Sequence, residues 1–238
     1  MPRPRARLLV TPLPAAGTAA RLSSEEAAHA RARRLRAGDS VLLFDGTGAE
    51  ALGVLAALDR SGGEVVVATL LPARGAEPGL ALLVSGLRPE RLSWLVEKAT
   101  ELSVDRVTIV QTARTQSFRA SPEALGRLER VARAAAKQSD AACWPGIAGP
   151  VPFAAALAED PASHRIFLDA AGEGFPRELS VRPVALLVGP EGGWTDAERD
   201  AARAAGWLPA ALPAGKLRAE TAAIAALVLA RAALGRKT

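Results

Sequence analysis

The stretch VALLVGPEGGWTDAERDAARAAGW, residues 184–207, decides how the chain folds. Its apolar beginning is typical of a buried strand, and the glycine-rich segment GPEGG follows that strand directly. Thr195 and Glu198 then have the spacing of a capping box, and Gly206 is placed to end the helix that the box begins. The stretch therefore predicts a buried strand, a glycine loop and a helix, which is an arrangement that lines ligand sites in α/β proteins.

The sequence around this stretch continues the alternation of strands and helices. Because such alternation is typical of a parallel sheet covered on both faces, we predict that arrangement for the C-terminal part of the chain. A second loop, LPAGKLRAETAA at residues 212–223, leads into the last helix and should lie beside GPEGG at the same edge of the sheet. Strand patterns lie at residues 80–87, 106–112, 164–171 and 207–213, helix patterns lie at 88–104 and 122–139, and residues 214–235 predict a loop followed by the final helix.

The N-terminal part has a different pattern. Residues 7–13, 40–58 and 64–71 predict strands, and one basic helix is expected to begin at Ser23 or Ser24 and to stop at Gly38. This favours a small closed or half-closed β-domain. Residues 72–79, PARGAEPG, have the composition of a linker, so we predict one domain over residues 1–72 and a second over 73–238.

Composition limits the classes of function. A net charge of +5 and a pI near 10.3 favour an anionic partner such as nucleic acid, although plain solubility explains the same charge. The single cysteine, Cys143, excludes an intrachain disulfide and suits a reducing cytoplasm, where we expect the protein to act. No stretch reaches the roughly 20 apolar residues of a membrane span, so no membrane partner is expected.

Familiar catalytic motifs are missing from the sequence. It contains no GxGxxG, no GxxxxGK[ST] and no GxSxG, so a dinucleotide fingerprint, a P-loop and a nucleophile elbow are not supported. With only His29 and His164 as histidines, we expect no metal site. Glu191 and Glu220 are the acids inside the two loops, and each either takes part in chemistry or ties loops together by accepting backbone N–H groups.

Two motifs at fixed spacing carry a family resemblance. GPEGGWTDAE at 189–198, followed by KLRAETAAIAAL at 216–227, resembles the RsmE-type 16S ribosomal RNA (uracil-N3)-methyltransferases of the SPOUT superfamily. The resemblance extends to RPERLSWLVEKATELSV at 88–104, AAAKQS at 134–139 and GDSVLLFDGTG at 38–48. It departs from the family at Ala141, where an arginine is usual, and at Arg88, where a lysine is usual.

The resemblance implies a fold, a cofactor and a partner. The C-terminal domain would be a SPOUT domain with a trefoil knot, an exception to the rule that chains do not knot. A PUA-like β-barrel that binds RNA would precede it. The protein would be a homodimer that uses S-adenosylmethionine to methylate N3 of a specific uridine in 16S rRNA of the small ribosomal subunit.

The resemblance and the charge pattern also assign residues. The cofactor would contact Leu168, Gly189, Pro190, Glu191, Gly192, Gly193, Leu212, Leu217, Arg218, Thr221 and Ala222. RNA would contact Arg31, Arg33, Arg34, Arg36, Arg88 and Arg91. The candidates for catalysis are Arg218, Glu220 and Arg114.

The chemistry leaves two mechanisms open. Uracil N3 carries a proton, and its lone pair attacks a methyl group only once that proton leaves. Either a base removes it, for which Glu220 or Glu191 is suited, or an electropositive pocket stabilises the uracil anion, for which Arg218 and Arg114 are suited.

Two other functions compete with this one. A non-catalytic RNA-binding factor for ribosome assembly would keep the fold without the chemistry, but the intact GPEGG and LRAETAA loops disfavour it. A SPOUT methyltransferase acting on tRNA or on a ribose 2′-hydroxyl is the third hypothesis, and the N-terminal β-domain and the KATELSV segment disfavour that.

Overall fold

A computed structural model describes residues 3–72, 79–115, 121–159, 164–179 and 183–235, so most of the predicted linker at 72–79 lies outside the described residues. The chain forms two compact units. The first unit comprises Met1–Glu77 and Ala136–Trp144, and the second comprises Pro78–Ala135 and Pro145–Thr238. The domain boundary between residues 72 and 73 stays a prediction.

The first unit is built on a five-stranded sheet with the order β1-β3-β4-β5-β2. The pairs β3–β4, β4–β5 and β2–β5 are antiparallel, and β1–β3 is parallel. Register shifts between β4 and β5 bend the sheet around a core of aliphatic side chains. The strands are β1 (Arg7–Leu9), β2 (Ala19–Leu22), β3 (Ser40–Phe44), β4 (Glu50–Leu58) and β5 (Gly63–Leu70).

The basic helix of the first unit ends earlier than the sequence predicts. Helix α1 (Ser24–Ala32) begins at Ser23, whose side chain accepts a hydrogen bond from the Glu26 N–H. It stops at Ala32 rather than at Gly38, because Arg34 turns the chain with a φ of 55°. This turn places Leu35 in the core, with its N–H bonded to the Ala30 carbonyl at 3.0 Å.

Buried charges join distant parts of the first unit. The Glu26 carboxylate accepts a hydrogen bond from the Leu9 N–H at 3.0 Å and forms an ion pair with Lys137. Arg7 donates to Glu50 over 2.8 Å, and both side chains are almost fully buried. The contact with Lys137 shows why the segment Ala136–Trp144 groups with this unit.

The second unit is built on a parallel six-stranded sheet with the order β11-β9-β10-β6-β7-β8. Its strands are β6 (Leu80–Ser85), β7 (Arg106–Gln111), β8 (Gly146–Pro152), β9 (His164–Gly174), β10 (Val184–Val188) and β11 (Leu208–Ala211). Its helices are α2 (Pro89–Glu101), α3 (Pro122–Gln138, whose last residues belong to the first unit), α4 (Phe153–Glu159), α5 (Asp196–Ala204) and α6 (Ala219–Ala233).

Both faces of the two central strands, β6 and β10, are covered. Leu83 and Leu187 face a core that includes residues of α4 and α5. Side chains alternate along a strand, so the neighbouring Leu82 and Leu186 face the other way, and they are fully buried as well. The predicted fold class, a parallel sheet flanked by helices and preceded by a small β-rich domain, is confirmed. The trefoil knot stays a prediction.

The edge of the sheet at β9 and β11 is irregular. Pro209 pairs with Phe167, but the next residue, Ala210, pairs with Glu173. Residues 168–172 therefore bulge out of the ladder between these two pairs, while β9 continues to Gly174, beyond the strand predicted over 164–171. The bulge opens a space beside the strand ends.

Candidate functional site

A pocket of about 310 Å³ lies at the carboxyl ends of β9, β10 and β11. Three segments enclose it: the β9 bulge, the GPEGG loop after β10, and the loop between β11 and α6. The volume falls in the lower part of the range of roughly 300–1,000 Å³ that small-molecule sites span. The lining residues are Leu168, Asp169, Ala170, Val188, Gly189, Pro190, Glu191, Gly193, Trp194, Arg199, Ala210, Ala211, Leu212, Ala214, Gly215, Lys216, Leu217, Ala219 and Ala222.

Trp194 holds the GPEGG loop against the bulge. Its indole Nε1 donates a hydrogen bond to the Leu168 carbonyl at 2.7 Å, and its ring packs in the core against Phe153 and Phe167. A Cβ at Gly189 would lie 2.7 Å from Cε2 of Trp194, so glycine is required where the loop passes the ring. The loop is therefore fixed before any ligand arrives.

The predicted capping box at the start of α5 is confirmed. The Thr195 side chain accepts from the Glu198 N–H, and the Glu198 carboxylate accepts from the Thr195 N–H at 2.9 Å. The same carboxylate accepts from the Ala113 N–H at 2.8 Å. Glu198 thus ties the GPEGG–α5 segment to the loop after β7, a role that the sequence did not reveal.

The segment before α6 supplies the other wall. Leu212, Leu217, Ala219 and Ala222 give this wall an apolar surface. Arg218 is the N-cap residue of α6, but its side chain makes no capping hydrogen bond. The first-turn N–H groups of a helix have no partner within the helix, so those of α6 need partners from outside it, and a ligand beside this wall is one such partner.

The charged residues that line the pocket are Asp169, Arg199, Glu191 and Lys216. The Asp169 carboxylate is almost fully buried, and it accepts from Arg199 Nε at 2.8 Å and from the Ala171 N–H at 3.1 Å. The hydrogen bond that Arg199 donates to Asp169 raises the pKa of the Arg199 guanidinium above its ordinary value. The pocket thus holds one fixed guanidinium in an otherwise largely apolar surface.

A second, smaller cleft lies on the other side of the GPEGG loop. Pro190 and Glu191 line both spaces and form their common wall. Arg114 donates from Nη1 to the Gly192 carbonyl at 2.7 Å, so its guanidinium lies against the loop. The cleft is lined by Gly86, Leu87, Arg88, Arg91, Arg114, Pro190, Glu191 and Gly192.

Arg91 joins the two acids of the loops. It forms an ion pair with Glu191, and its Nε lies 3.5 Å from Oε1 of Glu220. Glu220 is 8% exposed, and its Oε2 is buried without a hydrogen-bond partner in the described structure. Of the two roles predicted for the loop glutamates, the contacts thus favour tying the loops together, although through an arginine instead of backbone N–H groups.

A cluster of hydroxyl groups supports the loop that carries Arg114. The Ser85 hydroxyl lies 2.8 Å from that of Thr115, and the Thr112 and Thr115 hydroxyls are 2.7 Å apart. The Thr115 hydroxyl also accepts from the Thr112 N–H at 2.8 Å. These bonds close a tight turn at the end of β7 and fix the backbone on which Arg114 stands.

The structure brings most of the predicted cofactor residues together in the main pocket. Those are Leu168, Gly189, Pro190, Glu191, Gly193, Leu212, Leu217 and Ala222. Gly192, Arg218 and Thr221 are not among its lining residues: Gly192 lines the smaller cleft, and Arg218 and Thr221 are exposed.

The sequence reasoning missed several pocket residues. Asp169, Trp194, Arg199 and Lys216 line the pocket and were not predicted as site residues. Trp194 follows GPEGG directly, and that position was a usable signal. Arg199 gave none, because an arginine on a helix is usually a solvated surface residue.

The predicted RNA-binding arginines lie in both units. Arg31, Arg33, Arg34 and Arg36 are exposed on the first unit, where Arg31 donates to the Asp59 carbonyl. Arg88 and Arg91 line the smaller cleft of the second unit, and Arg91 is already paired with the glutamates described above. The RNA contacts of all six stay a prediction.

Neither a metal cluster nor a membrane-spanning helix is present in the described residues. No group of three or more His, Cys, Asp or Glu residues there is placed to hold a metal ion. None of the helices in the described parts of the chain has both the length and the apolar character needed to span a membrane.

The fold and the site define an α/β protein with a small-molecule pocket at the carboxyl edge of a parallel sheet and a separate β-rich unit. An RNA methyltransferase domain model matches residues 76–231, and an RNA methyltransferase PUA domain model matches residues 22–68. The chain belongs to the RNA methyltransferase family. The enzyme class predicted from the two loop motifs is thereby confirmed.

Known proteins match nearly the whole chain. A Mycobacterium bovis protein named ribosomal RNA small subunit methyltransferase E is 29% identical over 230 residues, covering 92% of this chain and 88% of its own. The crystal structure of the protein of that name from Neisseria gonorrhoeae, bound to S-adenosylmethionine, has a TM-score of 0.84 at 23% identity and covers 98% of this chain and 99% of its own. A Legionella pneumophila methyltransferase structure with bound S-adenosylmethionine has a TM-score of 0.79 at 26% identity. The match covers 94% of this chain and 96% of the Legionella chain. The RsmE-type resemblance read from the sequence is confirmed.

Proposed function

We propose that this chain is an S-adenosylmethionine-dependent methyltransferase that methylates N3 of a specific uridine in 16S rRNA. The observation that carries the proposal is the single wall, Pro190 and Glu191, which separates an apolar pocket from a cleft lined by arginines. A methyl donor in the pocket and an anionic acceptor in the cleft would meet at that wall. The relatives named above support the RNA substrate and the cofactor.

The pocket fits the proposed cofactor in size and chemistry. An adenosyl group needs apolar walls, which Leu168, Leu212 and Leu217 offer, and hydrogen-bonding backbone, which the bulge, the loop and the first turn of α6 offer. When bound there, S-adenosylmethionine supplies an electrophilic methyl group on a sulfonium. The protein's part is to hold the donor and acceptor in line and to exclude water.

The contacts favour one of the two mechanisms for N3. Glu191 and Glu220 are both held by Arg91, whereas the Arg114 guanidinium lies against the loop wall and Arg218 is exposed at the start of α6. We therefore assign to Arg114 and Arg218 the stabilisation of the negative charge that develops on the uracil as N3 loses its proton. The proton then passes to solvent instead of to a loop glutamate.

The proposal also covers where the enzyme acts, how it holds its RNA substrate and its oligomeric state. Substrate rRNA would be held by the exposed arginines of the first unit, and the enzyme would act in the cytoplasm on the small ribosomal subunit or its RNA.

A homodimer is part of the proposal, and exposed Trp94 on α2 and Val228 on α6 are apolar side chains that such an interface would cover. Light scattering that gave the mass of one chain at micromolar concentration would contradict the dimer.

Transfer of a labelled methyl group tests the proposal. The chain is incubated with methyl-labelled S-adenosylmethionine and, separately, with free 16S rRNA, small subunits and tRNA. We expect label in 16S rRNA, free or assembled, and a loss of most label with Arg114→Gln. The matched control is Arg203→Gln, since Arg203 is an exposed arginine of α5 that forms an ion pair with Asp200 of the same helix. No label in any RNA would favour a non-catalytic binder, and label in tRNA would favour a different acceptor.

A further inference from the structure

The strongest unassigned feature of the pocket is its one fixed guanidinium. Arg199 stands in α5 and lines the pocket together with Asp169. Its side chain is 28% exposed, whereas that of Asp169 is 4% exposed. A buried carboxylate beside a partly exposed guanidinium holds that guanidinium in place and leaves part of it open to the pocket.

The hydrogen bonds of Arg199 show which part is held. Nε donates to Asp169 at 2.8 Å, and Nη1 donates to the fully exposed Asp196 at 2.9 Å. A guanidinium carries five N–H donors in a planar fork, so donors remain for a ligand after these two bonds. The Asp169 anchor is itself fixed, because its other oxygen accepts from the Ala171 N–H in the β9 bulge.

The other cation on the wall is held less firmly. Lys216 is exposed in the loop before α6, and its ammonium is a mobile point charge rather than a planar fork. A carboxylate is planar and accepts two parallel hydrogen bonds, which is the geometry that a fixed guanidinium recognises. The proposed cofactor carries one such group, on its amino-acid end.

We propose that Arg199, oriented by Asp169, binds the carboxylate of the amino-acid end of the S-adenosylmethionine cofactor. The inference rests on the proposed function for the identity of the ligand. It adds a specificity: the pocket distinguishes adenosyl ligands that carry an amino-acid end from those that lack it. Arg199 acts here in binding and takes no part in the chemical step.

Two ligands without a reactive methyl group separate this role from activity. S-adenosylhomocysteine carries the amino-acid end, and 5′-methylthioadenosine has the same adenosyl group without it. Calorimetry on the full chain measures the Kd of each for the wild type, Arg199→Gln, Arg199→Lys and the control Arg203→Gln. Arg203 lies one turn later on α5 and is absent from the pocket lining.

We expect Arg199→Gln to raise the Kd of S-adenosylhomocysteine about 10- to 100-fold, the size of one lost charge-assisted interaction. In the same variant, the Kd of 5′-methylthioadenosine should stay within about twofold of the wild-type value. Arg199→Lys should raise the Kd of S-adenosylhomocysteine less than Arg199→Gln does. Arg203→Gln should bind both ligands with the wild-type Kd. Circular dichroism and thermal melting confirm that each variant is folded.

Different failures have different meanings. An equal loss of affinity for both ligands in Arg199→Gln would show that the ion pair only holds the pocket wall, and it would overturn the inference. Unchanged affinity for both ligands would overturn it as well. In either case the proposed function survives, because the wild type binds the cofactor product. If the wild type bound neither ligand, the proposed function and this inference would fall together.

Discussion

Replacing Glu198 with alanine should have two effects. It should destabilise the second unit, and it should loosen the turn after β7 that carries Arg114. The Glu198 carboxylate is 8% exposed, and it accepts from the Thr195 N–H and hydroxyl at 2.9 Å each and from the Ala113 N–H at 2.8 Å. Losing the capping interaction costs about 1 kcal/mol. Losing a hydrogen bond from Ala113 to a charged acceptor costs about 2 kcal/mol.

The expected loss is therefore about 3 kcal/mol of the free energy of unfolding. For a chain of this size, that corresponds to a fall of roughly 6–12 °C in Tm, measured by differential scanning calorimetry. Glu198→Gln keeps one acceptor oxygen but sets an amide N–H₂ against the other donors, so about half of the loss should remain. Asp200→Ala, an exposed acid of the same helix, should change stability by less than about 0.5 kcal/mol.

The same substitution tests the link to function. Arg114 follows Ala113 directly, so freeing the Ala113 N–H should loosen the guanidinium that lies against Gly192. Methyl transfer at a temperature well below the lowered Tm should fall more than the affinity for S-adenosylhomocysteine. A Tm within about 2 °C of the wild type, with unchanged transfer, would refute the reasoning that Glu198 ties these segments together.

Three further predictions concern the loops and the basic surface. Gly192→Val should lower methyl transfer at least tenfold while the Kd of S-adenosylhomocysteine changes little, because a Cβ there would lie 3.3 Å from Cδ of Arg114, on the cleft side of the loop. A large loss of affinity instead would show that this position belongs to the cofactor site. Arg218→Ala should lose most methyl transfer and keep cofactor binding, since the side chain is exposed and makes no cap; full activity on rRNA would contradict that role. Binding to rRNA should weaken steeply with salt, and each neutralised phosphate contact should reduce the slope of log K against log salt by about 1. The arginines to be replaced by glutamine are Arg31, Arg33, Arg34 and Arg36. If the slope is unchanged after their replacement, these side chains form only a solvated face and do not contact phosphates.

Local signals in the sequence predicted much of the fold. The capping box of Thr195 and Glu198 was correct because both partners lie within one helical turn and need no tertiary context. The continuous apolar runs of β6 and β10 correctly indicated central strands, since burial on both faces leaves no alternation. The loops at the carboxyl ends of these strands followed from the same argument.

Elements without a local signal were missed. Strand β2 (Ala19–Leu22) is short, and β8 (Gly146–Pro152) contains residues that usually break strands and lies at the edge of the sheet. Helix α4 (Phe153–Glu159) was missed as well, since its alanine-rich sequence shows little periodicity. Helix α1 ended early because burial of Leu35 outweighed the expected stop at Gly38.

The site was predicted by motif and completed only by tertiary contacts. GPEGG and LRAETAA gave the walls of the pocket, because both are continuous in sequence. The ion pairs of Arg91 with Glu191 and of Arg199 with Asp169 join residues that are far apart in the chain, and no spacing rule connects them. The bulge at 168–172 depends on the register between β9 and β11, which only the assembled sheet determines.

The most direct test is to locate the methyl group on the product RNA. The chain is incubated with S-adenosylmethionine and small-subunit rRNA, and the RNA is then analysed by nucleoside mass spectrometry and by reverse transcription. N3-methyluridine cannot form its Watson–Crick pair, so we expect a gain of one methyl on a uracil base together with a single strong stop of reverse transcriptase. A methyl on ribose without that stop, or no methyl at all, would contradict the account.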